Sequence, residues 1–170
     1  DFGADVIKVE QPGEGDMLRM LSHVPTAPEA GSDWFWNLDG RNKRVLSLNL
    51  KDADALKILR ELVVGCDVFI TNQPFEVRSS LKITYEQLSA LNPKMIYASL
   101  SAYGEKGPDR ARKGFDQVAY WGRSGLMDLM RNPDKMPSQG LPGMGDHPTG
   151  VALYASIVTA LLRRERTGNG

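Results

Sequence analysis

The feature that most constrains the fold is the alternation of strand and helix patterns between residues 45 and 101. Short apolar stretches at 45–50, 67–71 and 95–101 predict strands. The segment between the first two has apolar residues on one helical face, namely Ala55, Leu56, Leu59, Leu62 and Val63. Before the third, Thr84 and Gln87 have the spacing of a helix capping box. Strands alternating with helices favour a parallel sheet, so we predict an α/β fold with flanking helices.

The remaining segments add one strand and two helices to this prediction. A further strand is expected at 5–10, followed by irregular chain over 17–40. A helix over 115–130 is expected to contribute core contacts from Val118, Trp121, Leu126 and Met130.

The C-terminal part is predicted to hold the longest helix, at 148–166. Because this helix is apolar almost all round from Val151 to Leu162, we expect it to be buried. Residues 132–144, rich in proline and glycine, form a linker-like loop before it. We treat 1–170 as a single domain.

Composition excludes several function classes. The formal net charge is zero, which argues against general nucleic-acid binding. Cys66 is the only cysteine, so no intrachain disulfide or cysteine-rich zinc site is possible, and a buried core thiol is expected. The two histidines, His23 and His147, suggest no metal site. No apolar run of membrane-spanning length and no secretory pattern occurs, so we expect a cytoplasmic protein that does not bind membranes.

Asp146 is the principal candidate for chemistry. It lies in the sequence Gly145-Asp146-His147-Pro148-Thr149-Gly150, and Pro148 suits the first turn of a helix. Asp146 is therefore expected at the cap position or one residue before it, where a carboxylate is stabilised by free backbone N–H groups. The neighbouring glycines would let a bulky ligand approach, so the pattern leaves two interpretations open, a helix cap and a nucleophile.

Two other polar segments are candidates for ligand binding. Asn42-Lys43-Arg44 and Lys51 flank a predicted strand, and Asn72 follows the next one. These polar residues are either solvated surface charge or part of a site for an anionic ligand. Lys51 and Asn72 are better placed for a ligand site than Lys43, because ligands bind at the carboxyl ends of strands. Lys113-Gly114-Phe115-Asp116 marks a loop-to-helix junction with Asp116 as the cap.

Taken together, an ordered set of short motifs resembles the family III CoA-transferases, the carnitine and bile-acid CoA-transferase family. The main matching segments are Phe2-Gly3-Ala4-Asp5-Val6-Ile7-Lys8-Val9-Glu10, Asn42-Lys43-Arg44, Leu48-Asn49-Leu50-Lys51, Tyr85-Glu86-Gln87-Leu88, Gly114-Phe115-Asp116 and Gly145-Asp146. The resemblance implies part of a Rossmann-like large domain, a homodimer of interlocked chains, and transfer of CoA from an acyl-CoA to a free carboxylic acid. It implies no covalently bound cofactor, since CoA is a substrate.

The resemblance also assigns site residues. Asp146 matches the family's nucleophilic aspartate, and Asp116 is expected to orient substrate near it. The positions that match CoA contacts are Gln11, Leu48, Asn49, Lys51, Asn72 and Lys113. Gln11 and Ser80 stand where members often carry a basic residue, which weakens the expected phosphate contacts.

Two alternative functions are weighed against the transferase. The family's α-methylacyl-CoA racemases carry a histidine where this chain has Phe115, and phenylalanine cannot carry a proton. The chain also looks like a fragment of the family pattern. It is therefore expected either to be inactive in isolation or to be a catalytically dead remnant that folds and self-associates.

Overall fold

The computed structural model describes residues 1–25 and 27–169. The chain divides into two compact units, Asp1–Leu59 and Arg60 onward. The division falls within one helix, α2 (Ala53–Val64). The expectation of a single partial domain over 1–170 stays a prediction. No helix among the described residues combines the length and the apolar character needed to cross a membrane.

The first unit is built on a parallel pair of strands, β1 (Val6–Glu10) and β2 (Lys43–Ser47). Their register runs from Val6 opposite Lys43 to Glu10 opposite Ser47. The N–H of Leu48 donates to the carbonyl of Glu10 at 2.9 Å, so the pairing continues just past β2. The carboxyl ends of β1 and β2 therefore lie side by side.

Residues 17–40 are not irregular throughout, and that expectation is wrong. A 3₁₀ helix covers Met17–His23, and α1 covers Trp34–Asp39. Each begins at an aspartate: Asp16 accepts from the N–H of Leu18 at 2.7 Å, and Asp33 accepts from the N–H of Trp36 at 3.1 Å. These caps satisfy N–H groups that a short helix leaves unpaired at its start.

The second unit contains the second parallel pair, β3 (Val68–Thr71) and β4 (Ile96–Ser99). Between them lie α3 (Phe75–Ser80), which the sequence pattern did not predict, and α4 (Tyr85–Ser89). The N–H of Thr84 donates to Oε1 of Gln87 at 3.2 Å, which confirms the capping box. The core of this unit includes the buried side chains of Val63, Ile83, Leu88, Met95 and Ala98.

The predicted α/β class and the parallel pairing are confirmed. Each of the four predicted strands is present with shorter bounds, and β2 starts at Lys43 rather than at 45. The strands form two separate two-stranded sheets, β1 with β2 and β3 with β4, rather than the one sheet expected. The predicted apolar face of α2 is also confirmed, since Ala55, Leu59 and Val63 are buried.

The predicted helix over 115–130 is instead two short helices. A π-helix covers Gln117–Gly122, and α5 covers Leu126–Leu129. Gly125 separates them with φ +86°, a conformation that a residue with a side chain rarely adopts. Of the four residues predicted to contribute to the core, only Trp121 is buried. Val118 and Met130, which were expected in the core, are exposed.

The last helix, α6 (Asp146–Thr167), is not buried as expected: none of its residues is buried. It contacts β4 along one side, and no other described element makes an extensive contact with it. Gly168 ends the helix with φ +74°, as its sequence position suggests.

The linker-like segment 132–144 has no helix or strand but is anchored to the π-helix. The indole Nε1 of Trp121 donates to the carbonyl of Ser138 at 2.9 Å, and the N–H of Gly140 donates to Oε1 of Gln117 at 3.0 Å. The segment is thus an ordered loop that leads directly into α6.

Candidate functional site

The start of α6 and the start of the π-helix meet at a single carboxylate. Oδ1 of Asp116 accepts from the N–H of Gln117 at 2.8 Å, and Oδ2 accepts from the N–H of Gly145 at 3.2 Å. Asp116 therefore caps its own helix, as predicted, and also holds the residue before Asp146. The structure brings the two aspartates predicted for the site to one junction.

Gly145 makes this junction tight. The residue is buried, and an added Cβ would lie 2.6 Å from Cβ of Tyr120 and 2.8 Å from Cβ of Asp116. Both neighbours are atoms close to a backbone that cannot swing away, so only glycine fits without moving a helix. The backbone of α6 consequently begins directly against the π-helix.

Asp146 is the first residue of α6, and its side chain is exposed. The expectation that it lies at the cap or one residue earlier is wrong, because Gly145 holds the cap position. Pro148 remains in the first turn, where its missing N–H costs nothing. A carboxylate in the first turn is still stabilised by the positive end of the helix dipole.

His147 is turned toward the preceding loop. A Cβ added to Gly143 would lie 3.2 Å from Cε1 of the His147 ring, so this glycine leaves room for the imidazole. Gly143 itself has φ +71°. The two residues shape the approach to the first turn of α6.

Lys113 lies on the loop that leads to Asp116, and its side chain is exposed. Next to it, Gly114 packs on the ring of Tyr103, whose hydroxyl would be 3.2 Å from an added Cβ. Earlier in the same loop, the carboxylate of Glu105 pairs with the guanidinium group of the buried Arg78 at 2.5 Å. Lys113 is thus an exposed cation on a loop with two fixed points.

Four predicted CoA contacts lie at the carboxyl edge of the β1–β2 pair. Gln11 follows β1 directly and Leu48 follows β2 directly, with Leu48 buried and Gln11 exposed. Asn49 accepts from the N–H of Lys51 through its Oδ1 at 3.2 Å, which turns the chain after the strand. The carboxyl edge is where ligands of α/β sheets collect.

Asn72 holds the corresponding place in the second unit. It follows β3 directly and is exposed. In contrast, Asn42, Lys43 and Arg44 lie at the amino end of β2, the opposite edge. Arg44 pairs there with Asp5 at 2.6 Å, with both side chains largely exposed. Their position favours the solvated-charge interpretation of these three residues.

A buried glutamate that sequence reasoning missed shapes the loop after β1. Glu10 is only 7% exposed, and its carboxylate accepts from Nε of Arg19 at 2.9 Å and from the N–H of Asp16 at 3.2 Å. The Arg19 guanidinium lies 3.5 Å above the Trp36 ring. The strand pattern hides this role, because a glutamate at the end of a strand usually faces solvent.

Asp16 closes the same loop from its other end. Partial burial alone would raise the pKa of Asp16, but hydrogen bonds from Lys8 and from the N–H of Leu18 lower it below its ordinary value. The Lys8 Nζ lies 2.6 Å from Oδ2 of Asp16. The segment that carries Gln11 is therefore braced at both ends.

Two further sequence expectations concern single side chains. Ser80 is exposed, and its hydroxyl donates to the carbonyl of Val77 at 2.9 Å. Cys66 is half-buried rather than fully buried, and this burial raises the pKa of its thiol.

Comparison with known proteins gives a consistent family assignment. The model of CoA-transferase family III matches residues 1–170. Cinnamoyl-CoA:phenyllactate CoA-transferase from Clostridium sporogenes is 36% identical over 176 residues, covering 100% of this chain and 41% of that protein. Succinyl-CoA:glutarate CoA-transferase from Mus musculus is 38% identical over 170 residues, covering 100% of this chain and 38% of that protein.

Solved structures agree with the sequence comparison. A CAIB/BAIF family protein from Brucella suis superposes with a TM-score of 0.89 at 34% sequence identity, covering 100% of this chain and 45% of that chain. The chain thus spans less than half the length of each of these relatives.

Proposed function

The chain belongs to CoA-transferase family III, and from this premise we propose that it carries the nucleophile of a CoA-transferase, Asp146. The reaction would move CoA from an acyl-CoA to a free carboxylic acid. The observation that carries the proposal is the junction at Gly145. It presents an exposed carboxylate at the start of a long helix, on a backbone too tightly packed to shift.

The proposed chemistry begins with attack of an Asp146 carboxylate oxygen on the thioester carbonyl. The C–S bond breaks, which leaves an acyl-aspartyl anhydride and the CoA thiolate. The thiolate then attacks the aspartyl carbonyl, which forms an aspartyl-CoA thioester and releases the donor acid as its carboxylate. An acceptor carboxylate attacks this thioester, which forms a second anhydride and releases the CoA thiolate. The thiolate then attacks the acyl carbon of the acceptor in that anhydride. Asp146 is released unchanged, and no other reagent is consumed.

Asp116 is better placed to position Asp146 than to orient substrate, the role expected from the resemblance. Both of its oxygens accept backbone N–H groups, from Gln117 and Gly145. Holding a nucleophile in a fixed geometry lowers the barrier of the step that it performs. The positive end of the α6 dipole lies at the same point and favours negative charge that develops there.

CoA recognition is proposed for two groups of residues. In the first unit, Gln11, Leu48, Asn49 and Lys51 share the carboxyl edge of the β1–β2 pair. In the second unit, Asn72 and Lys113 are exposed and polar. The two lysines would supply point charges for phosphate groups, since Gln11 and Ser80 carry none.

A racemase-like function has less support. Phe115 directly precedes Asp116, is 70% exposed and cannot accept or donate a proton. A racemase needs an acid–base pair at the substrate α-carbon, and this position does not supply one. The transferase proposal requires no proton transfer from residue 115.

The test is substitution of Asp146 in the full-length gene product. Asp146→Asn is expected to abolish CoA transfer while the fold persists, because an amide cannot form the anhydride. Mass spectrometry after mixing with acyl-CoA should show an adduct on Asp146 in the parent and none in the variant. Asp134→Asn, the same change in the exposed loop 132–144, is the matched control.

An Asp146→Asn variant that turns over at the parent rate would refute the nucleophile and leave Asp146 as a helix-start residue. We also propose that the 170-residue chain alone shows no measurable turnover. Its Asp146 is open to solvent, and active sites that form reactive anhydrides exclude water. Parent-like turnover by the isolated chain would contradict this.

A further inference from the structure

A shallow recess of about 370 Å³ lies beside the π-helix in the second unit. We call it the two-arginine recess, after two of its lining residues, Arg112 and Arg123. Its other lining residues are Tyr103, Gln117, Val118, Gly122 and Met127. It includes neither Asp116 nor Asp146.

The charges of the recess are unbalanced. Nε of Arg112 lies 3.1 Å from Oδ1 of Asp109, and Nη2 of Arg123 lies 3.1 Å from Oδ2 of the same carboxylate. Two guanidinium groups therefore share one carboxylate, which leaves an excess of one positive charge. Each guanidinium has five N–H donors, so each retains donors beyond its contact with Asp109.

The arginines also face outward. The Arg112 and Arg123 side chains are 65% and 61% exposed, whereas the carboxylate between them is 27% exposed. The shared partner thus lies below the two guanidinium groups and holds them as a pair. A planar guanidinium fork matches the geometry of a carboxylate, so a pair held in this way is suited to a second one.

Part of the lining of the recess is apolar. Val118, which is 56% exposed, and Met127 contribute apolar atoms to it, and Gly122 contributes no side chain. A Cβ added at Gly122 would lie 3.4 Å from the carbonyl oxygen of Gln117 and 3.9 Å from Cε of Met127, both ordinary contact distances. The π-helix that supplies Val118 and Gly122 is a rare geometry that is frequent at functional sites.

We propose that the two-arginine recess binds a small organic monocarboxylate with an apolar body. One carboxylate balances the excess of one positive charge. The size lies at the lower end for ligand pockets, which are typically about 300–1,000 Å³ and combine apolar walls with a few polar groups. The proposal does not depend on Asp146 as a nucleophile, because neither Asp146 nor Asp116 lines the recess. Gln117 lines it and also donates its N–H to Asp116.

The test uses 3-phenylpropionate as the probe and its neutral amide, 3-phenylpropionamide, as the comparison. The methionine methyl groups of the chain are labelled with ¹³C, and the Met127 signal is assigned from a Met127→Leu variant. The acid is expected to shift the Met127 signal saturably, with a Kd of about 1 mM, the range of a weak single-site ligand. The amide is expected to produce no saturable shift, since it lacks the charge.

Two variants locate the site. Arg123→Gln is expected to weaken binding of the acid about tenfold, the typical effect of losing one charge-assisted hydrogen bond. Gly122→Leu fills the gap beside Met127 and is expected to prevent saturation. Arg163→Gln, on the exposed side of α6, removes the same charge elsewhere and is the matched control.

The outcomes separate this proposal from the proposed function. Asp146→Asn should bind 3-phenylpropionate as the parent does, whatever its effect on transfer. The recess proposal is overturned by the absence of a saturable Met127 shift, by an equal shift with the amide, or by equal losses in Arg123→Gln and Arg163→Gln. If Gly122→Leu does not fold, the two arginine variants decide the question.

Discussion

Arg78 is a charged side chain that the structure places almost entirely out of water, at 3% exposure. Its Nη2 contacts Oε1 of Glu105 at 2.5 Å, and its Nη1 lies 3.4 Å from the Tyr97 hydroxyl. The buried Nε has no hydrogen-bond partner among the described residues. A buried cation with an unsatisfied donor depends strongly on the carboxylate that it contacts. We infer that Glu105 stabilises both Arg78 and the loop that leads to Lys113.

This pair predicts a specific dependence of stability on pH. The hydrogen bond from Ser99 lowers the pKa of Glu105, partial burial opposes that effect, and the bond and charge of Arg78 add to it. Because the folded pKa lies below the unfolded one, the contribution is fully present above the unfolded pKa. It is lost as the pH falls through the folded pKa.

Glu105→Gln is therefore expected to destabilise the protein at pH 7 by about 1.5–3 kcal/mol, the range for hydrogen bonds to charged groups. The difference from the parent should shrink as the pH falls through the lowered pKa of Glu105. Urea unfolding across this range measures it, with Glu61→Gln, an exposed change on α2, as the control. Parallel pH curves for parent and Glu105→Gln would disprove the role of the pair.

At the scale of elements, the decisive contact is the close approach of α6 and the π-helix at Gly145. Tyr120 of the π-helix and Asp116 just before it face Gly145, and their Cβ atoms lie 2.6 and 2.8 Å from where a side chain at 145 would begin. The same approach gives the Gly145 N–H its partner, Oδ2 of Asp116. Packing and hydrogen bonding thus fix the helix start together.

Gly145→Ala is expected to reduce the free energy of unfolding by about 1–3 kcal/mol, the usual cost of inserting a methyl group into a packed interior. It should also lower the yield of the Asp146 adduct, because the helix start must shift. Gly150→Ala is the matched control, since no atom lies within 4 Å of the added Cβ. In a helix, alanine there should be neutral or stabilising by up to about 1 kcal/mol. Equal effects of the two substitutions would show that the junction is not tight.

At the scale of the whole molecule, α6 presents an uncovered apolar stripe. Val151, Tyr154, Val158 and Leu162 recur at helical spacing and are between 43% and 68% exposed. Contiguous apolar surface of this kind marks an interaction face. The resemblance to the family independently led us to expect a homodimer.

We therefore predict that the protein self-associates through α6 as a dimer. Light scattering should give the dimer mass at micromolar concentration, and Val158→Lys should shift the population toward monomer, because burying an unpaired charge at an interface is costly. Ser156→Lys adds the same charge at an exposed polar position of the helix and should leave the mass nearly unchanged. A monomer mass for the parent across a wide concentration range would contradict the prediction.

Much of this architecture is local, and the amino-acid sequence determined it. Apolar spacing marked the face of α2 that buries Ala55, Leu59 and Val63. The capping box placed the start of α4, and Gly168 marked the end of α6. Each depends on residues within one or two turns, whose conformational preferences act without distant partners. The ordered motifs were also sufficient to identify the family.

The tertiary structure alone decided the features that rest on distant contacts. No local pattern indicated that Gly145 lies against Tyr120, or that α6 begins at Asp146 with Gly145 as its cap. The local patterns also did not indicate that Arg78 pairs with Glu105, or that the apolar side chains of α6 are exposed. Burial and pairing are set by which segments approach one another, and that depends on the packing of the folded chain rather than on the preference of any single segment.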